Sequence, residues 1–424
     1  MLRTFLGVLC LLVWVNGLVA QEKAVNNPNL NFYGFIRNEF FVDTYKGLDA
    51  AYEVFYLVPL YVGKDANGED INQQASSYLA ALASRLGVKI EGPEIFGAKT
   101  SGNIEFDFGG IVKSEPTLFR IRHANMVFSW EKSRLLLGQT WHPFWGGGVF
   151  PTVAGLNTGA PFQAFSRAPQ IRYDLLAGNF TISATAAYEN QYATKALESS
   201  NYVSPNQAQR NGVLPELILS AEYRGKGLIL GAGALSKRIK PAMTTTGTAG
   251  LYKSDEYLTS AGFMAYLAYK TNKLNVTAKG YYGQNMTHLT FLGGYGVASK
   301  DESTGAMTYT NFTNYTSLLN IVYGKKWQAG LMLGYGGNLG TADPLYRDEA
   351  TGKAITAGLL PNVMDMARVA PNLALNISKL RFVAEYEMTT ANYGAGSFDF
   401  SDGLYSEKHR TTNHRAILMM MYMF

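Results

Sequence analysis

The chain has 424 residues, of which 47% are hydrophobic, 13% aromatic and only 16% charged, with a formal net charge of +5. Disordered chains are poor in aromatics and rich in charge, so that class is excluded, and a single cysteine excludes a disulfide scaffold or a Cys-rich metal site. Beyond residue 20 no apolar run approaches the ~18 residues of a membrane helix, so any crossing of a membrane falls to strands.

Residues 1–20 have the layout of a secretory signal, with Arg3 at the start, an apolar stretch at 5–15, and Leu18-Val19-Ala20 before a cut at Gln21. Cys10 lies inside the apolar stretch, which argues against a lipid anchor. Removal of the signal leaves 21–424 as one domain without cysteine, suited to an oxidising compartment.

From Asn31 onward apolar residues recur with period two, as strands that face lipid require. Thr100, Gly102, Ile104, Phe106 and Phe108 share one face, opposite Lys99, Ser101, Asn103, Glu105 and Asp107. Leu217, Leu219, Ala221 and Tyr223 oppose Glu216, Ser220, Glu222 and Arg224 in the same way. Leu380, Phe382, Ala384, Tyr386 and Met388 oppose Arg381, Glu385 and Glu387. A water-soluble sandwich also alternates, so connection lengths must decide. Short turns fall at 91–98, 131–133, 178–179, 225–227, 271–273, 324–325 and 378–379. Longer connections fall between them, at 46–75, 109–116, 142–166, 189–213, 236–256, 284–308, 337–361 and 391–408.

This alternation of long and short predicts an all-β fold. It is a closed antiparallel transmembrane β-barrel of about sixteen strands, with short periplasmic turns and long extracellular loops. The last strand ends on Phe424, in line with Ala416, Leu418, Met420 and Tyr422. A terminal aromatic in this position resembles the assembly signal of outer-membrane barrels. The expected setting is therefore the outer membrane of a Gram-negative cell, with its lipid and lipopolysaccharide and its barrel-assembly machinery as partners.

Catalytic and cofactor motifs are missing: there is no Walker loop, G-x-S-x-G or H-E-x-x-H. The five histidines read as hydrogen-bonding groups rather than as ligands. Glu385 and Glu387 share a face and read as channel lining rather than as an acid–base pair. No enzyme activity, cofactor, metal or nucleic-acid partner is expected.

Charge on the inner face stands out. With the apolar face assigned to lipid, Arg37, Glu39, Arg85, Lys89, Lys99, Glu105, Asp107, Arg120, Arg122, Arg172, Asp174, Arg368, Arg381, Glu385 and Arg415 point into the lumen. An Arg or Lys facing lipid at mid-membrane would cost about 2–4 kcal/mol. Glu105 and Arg120 are candidates to pair across their hairpin.

The connection at 142–166 contains no Asp, Glu, Lys or Arg, but five glycines, three prolines and five large aromatics. Exposed apolar patches of that size are rare, so the loop is expected to fold inward and narrow the pore. Pro143, Phe144, Trp145, Phe150, Phe162 and Phe165 would then form the constriction. A second apolar stretch at 51–62 reads as a strand extension or a contact with a neighbouring subunit.

Phe119-Arg-Ile-Arg-His-Ala124, Leu136-Leu-Gly-Gln-Thr-Trp141 with Phe144, and the opening Tyr33-Gly-Phe-Ile-Arg37 together resemble DcaP-like porins, trimeric outer-membrane channels of Gram-negative bacteria. The resemblance implies a homotrimer, places Arg120 and Arg122 on a basic wall of the constriction, and makes the loop after Trp141 the one that enters the pore. Some members carry an N-terminal coiled coil; only residues 21–30 precede the first strand here, so that element is not expected. The function that follows is passive diffusion of small hydrophilic solutes, with a preference for small anions such as organic acids. The alternative is a barrel with a closed lumen that acts as an adhesin or a structural, binding protein.

Overall fold

A computed structural model describes residues 29–50, 52–109, 117–197 and 202–424; the expected signal peptide at 1–20 lies outside them. Sixteen antiparallel strands close into a barrel. β1 is Asn29–Asp43, and β2 comes in two pieces, Ser76–Ala80 and Arg85–Ile95. β3 to β6 are Ala98–Asp107, Arg120–Ser129, Ser133–Trp141 and Arg167–Ala177. β7 to β10 are Phe180–Ala187, Glu216–Gly225, Leu228–Ile239 and Leu258–Lys270. β11 to β16 are Leu274–Gln284, Met307–Gly324, Trp327–Thr341, Val363–Ile377, Leu380–Asp399 and Leu404–Met423.

Each strand pairs with its chain neighbours, and β16 returns to β1 in a register running from Phe35 opposite Met423 to Asp43 opposite Arg415. Closure removes the free edges that hydrocarbon cannot hydrate. The burial pattern has the sign of a membrane barrel. On β1, Ile36, Phe40 and Val42 are exposed while Arg37, Glu39, Phe41 and Asp43 are buried. On β16, Leu418, Met420 and Tyr422 face out, with Ile417 and Met419 facing in. A soluble sandwich would show the reverse, charge outward and apolar side chains inward.

One end of the barrel carries tight turns. Lys226 and Gly227 both have positive φ, +50° and +79°, the signature of the hairpin turn whose twist matches the strands it joins. The opposite end carries the long connections, with one correction. Residues 391–408 were expected to be a loop, yet β15 runs to Asp399 and β16 restarts at Leu404. Above the apolar belt the outward positions of this hairpin turn polar, at Thr390, Asn392, Lys408 and Arg410, so the loss of alternation marks the end of the lipid contact rather than the end of the strands.

The seam between first and last strands ends on a pair of residues beyond that register. The Phe424 amide donates to the Gly34 carbonyl at 3.1 Å, and the Gly34 amide returns the bond at 3.4 Å. A Cβ on Gly34 would lie 2.8 Å from the Phe424 ring and 2.2 Å from the Arg85 carbonyl. Deleting Phe424, or making Gly34→Val, is therefore expected to slow barrel closure, read as a smaller compact band in unboiled gels at fixed folding time. Wild-type yields from both variants would deny the seam this role.

Candidate pore constriction

The loop at 142–166 leaves β5 at Trp141 and enters β6 at Arg167, and its own sequence turns it into the barrel. Pro143–Trp145 form a single 3-10 turn, and Gly146, Gly147 and Gly148 follow with φ of +76°, +55° and +77°, a reversal that side chains with a Cβ rarely adopt. At Gly147 the space is closed as well: a Cβ would sit 1.8 Å from the Glu222 carboxylate.

The wall then supplies what the charge-free loop lacks. A buried backbone group left unpaired costs about 1–3 kcal/mol, and charged wall residues meet several of them. Lys279 Nζ donates to the Trp145 carbonyl at 2.6 Å, Tyr281 to that of Phe144 at 3.0 Å, and Arg224 to that of Gly147. Across the lumen, Glu385 accepts the Ala154 and Gly155 amides at 2.8 and 3.1 Å, and Asn320 accepts the Thr152 amide at 2.9 Å. Arg37 donates to the Ala154 carbonyl, and Arg368 to that of Ala160 at 2.8 Å. The loop is thus held on β8, β11, β12, β14, β15 and β1, and it crosses the lumen. Phe144, Trp145, Phe162 and Phe165 are buried, with Trp145 stacked on Trp141 at 4.0 Å; Phe150 is half exposed, at 51%.

Within the stretch at 51–62, residues 54–59 are neither a wall extension nor, in this chain, an outward-facing surface. Phe55–Pro59 pairs with Gly47–Ala50 and is buried throughout. Arg368 donates to the Leu57 carbonyl, Tyr393 to that of Pro59 at 2.8 Å, and Asn157 of the constriction loop to that of Tyr56 at 2.6 Å. Arg415 reaches the Glu53 carbonyl at 2.8 Å. Two apolar segments therefore lean on one set of inward arginines.

Beside the loop root lies the densest charge in the barrel. Arg120 grips Asp107 with two bonds of 2.9 and 2.8 Å. Arg122 bridges Glu105 at 2.6 Å and Asp107 at 2.7 Å, and Arg85 approaches Glu105 at 3.4 Å. The expected Glu105–Arg120 pair does not form, because the β3–β4 register sets Asp107 opposite Arg120 and a bulge at Glu105/Phe106 turns Glu105 toward His123 and Arg122.

Sequence reasoning missed Arg167, the fourth guanidinium. It is 1% exposed, lies 3.7 Å over the Trp141 ring and donates to Gln191 at 2.8 Å, while its Nε and Nη2 have no partner. Among the described residues no carboxylate lies within ion-pair distance of it. Four arginines thus face two carboxylates.

No protein-family model and no curated protein matches the sequence. Among solved structures, the outer membrane channel DcaP of Acinetobacter baumannii matches with a TM-score of 0.64 at 17% identity, covering 94% of this chain and 97% of that one. The chain has the fold of an outer-membrane channel. An anion-selective porin from Comamonas acidovorans matches with a TM-score of 0.53 at 10% identity, over 94% of this chain and 100% of that one. The trimer form of OmpT from Vibrio cholerae matches with a TM-score of 0.53 at 12% identity, over 94% and 99%. The likeness to DcaP read from residues 33–37, 119–124, 136–141 and Phe144 extends, as a likeness of fold, to 94% of the chain.

Within this channel fold the remaining inward charges are spread out. Arg172 pairs with Asp174 at 2.9 Å, a carboxylate shared with Arg134 at 2.8 Å. Arg37 pairs with Glu39, Arg368 with Glu387 at 3.2 Å, and Arg415 with Asp43 at 3.5 Å. Arg381 binds Gln328 and Asn376, while Lys89 and Lys99 are exposed. Several of these charges are therefore engaged in holding the inner segments rather than left facing water.

His142, Glu216 and His288 bring one ligand atom each within 4.8 Å of the others, a grouping the separate histidines gave no hint of. Their hydrogen bonds do not suit a metal. A ligating imidazole carries its proton on the nitrogen away from the metal and donates it outward. Here both Nδ1 atoms face donors, the Phe144 amide at 3.2 Å and Lys237 Nζ at 3.0 Å, so the protons belong on the Nε2 atoms that face Glu216.

Proposed function

We propose that this protein is a passive diffusion channel of the outer membrane that favours small anions such as organic acids. A barrel of sixteen strands is wide enough for an aqueous lumen, and size selection then falls to the loop at 142–166. The observation that carries the charge preference is the excess of guanidinium over carboxylate at Arg85, Arg120, Arg122 and Arg167 against Glu105 and Asp107. At about 0.1 M salt the Debye length is near 10 Å, so the field of such a cluster survives in a narrow passage and fades in wide vestibules. The matches to a trimeric OmpT and to an anion-selective porin support the same reading. We take the working form to be a homotrimer, assembled by the barrel machinery into lipid and lipopolysaccharide.

One observation favours a rival. Phe55–Pro59 packs inside the barrel beside the constriction loop, as it would in a sealed binding or adhesive barrel. Planar-bilayer recording separates the two: stepwise conductance in symmetric salt is expected, and folded trimers that insert without current would replace the channel by the sealed barrel.

A further inference from the structure

We infer that Glu216, shared between the imidazoles of His142 and His288, is the clamp that fixes the root of the constriction loop, and that acid releases it. The inference rests on reading 142–166 as the constriction and adds how its position is regulated.

The chemistry follows from which nitrogen must accept. The Phe144 amide donates to His142 Nδ1 at 3.2 Å, and Lys237 Nζ donates to His288 Nδ1 at 3.0 Å. Each ring then carries its single proton on Nε2 and gives it to a different oxygen of Glu216, His142 to Oε2 at 3.1 Å and His288 to Oε1 at 3.2 Å. One carboxylate on β8 thereby ties the first residue of the constriction loop to the connection at 285–306. His142, Glu216 and His288 are at most 2% exposed, so water does not substitute for a lost partner.

The surroundings hold this arrangement in one protonation state. Lys237, from β9, spends its other two donors on Thr194 Oγ1 at 2.6 Å and the Asn285 carbonyl at 2.7 Å. Glu189, from the connection at 188–215, lies 3.4 Å from Lys237 Nζ and 3.7 Å from His288 Nδ1. Among the described residues, Glu216, Lys237 and Glu189 are the charged groups in contact with the two rings. Lys279, on β11, faces further along the loop at the Trp145 carbonyl.

A second proton on His288 has only Nδ1 to occupy, where it would meet the Lys237 ammonium. That contact would change from attraction to repulsion, and together with burial it outweighs the gain of a charge-assisted Nε2–H bond to Glu216. Burial first, and the Lys237 charge second, hold the His288 imidazole below its ordinary value. A group whose folded pKa is depressed in this way leaves the clamp at full strength above about pH 6.5, the ordinary value, and weakens it progressively as the pH falls.

The test uses the full barrel in planar bilayers. In the wild type, conductance and open-channel noise should rise reversibly as the pH falls from about 7 to about 4, across and below the histidine range. In the double variant His142→Gln with His288→Gln, a side-chain amide can accept and donate at the same two places without titrating, and the acid step should be lost. Glu216→Gln accepts from one ring only and turns its own N–H groups on the other, so its channels should be noisy already at neutral pH. His288→Gln alone should remove part of the step and serves if the double variant gives no compact band in unboiled gels.

A wild type that stays flat, an acid step that survives both histidine changes, or Glu216→Gln channels as quiet as wild type at neutral pH would each overturn the clamp. Channels lacking 143–161 keep the two readings apart. If excision leaves neutral-pH conductance unchanged, the constriction reading fails. If excision widens the pore but the histidine-dependent step persists, the clamp alone fails.

Discussion

Replacing Arg120 and Arg122 together by Gln is expected to shift the reversal potential in a salt gradient toward cations, most strongly at low salt. The change removes both bonds that Arg120 makes to Asp107 and both bridges that Arg122 makes, to Glu105 and Asp107. Asp107 is left without a cation and Glu105 keeps only Arg85 at 3.4 Å. The local excess of positive charge disappears, and a freed carboxylate enters the same space. Breaking a buried pair by removing one partner costs about 3–5 kcal/mol, less where luminal water enters, so the barrel band must be checked first. Arg167→Gln is the companion variant. Arg167 has no carboxylate partner among the described residues, so its removal should lower anion preference without releasing an acid. A reversal potential unchanged in both variants at low salt would place the cluster away from the path of the ions.

Excising 143–161 should give the second large effect, a rise in conductance and faster entry of larger sugars into liposomes. The segment carries Phe144, Trp145 and most of the backbone groups that Lys279, Glu385, Arg37 and Arg368 hold across the lumen. Without it those side chains face water, which solvates them, so the wall loses ordered partners but leaves no dry, unpaired charge. The outer face is untouched, and the barrel should still close. Unchanged conductance in a folded barrel would put the loop outside the pore and leave Phe55–Pro59 as the narrowing element.

The wall was legible because lipid imposes a strict rule on it. Ile36, Phe40 and Val42 must face out and Arg37 and Glu39 must face in, whatever the neighbours are, and short turns such as Lys226-Gly227 mark where the rule is interrupted. The loop at 142–166 is held by side chains of the inner wall, in keeping with a charge-free aromatic segment that has no stable place in water.

The pairing of the lumen charges was not legible. It depends on register, and the bulge at Glu105/Phe106 moves Glu105 from Arg120 to Arg122. Phe55–Pro59 was misplaced because an apolar run of that length looks the same whether it packs on a neighbour or inside its own barrel. Arg167 went unnoticed at the junction of loop and strand, where no alternation flags it. The clamp of His142, Glu216 and His288 joins three distant segments, and each residue alone reads as an ordinary polar side chain.

The most direct test of the central claim is the reversal potential of wild-type single channels under a salt gradient at low ionic strength. An anion-selective potential that fades as salt is raised is the predicted result, because the arginine excess acts only where screening is incomplete. A cation-selective potential at low salt would contradict the account.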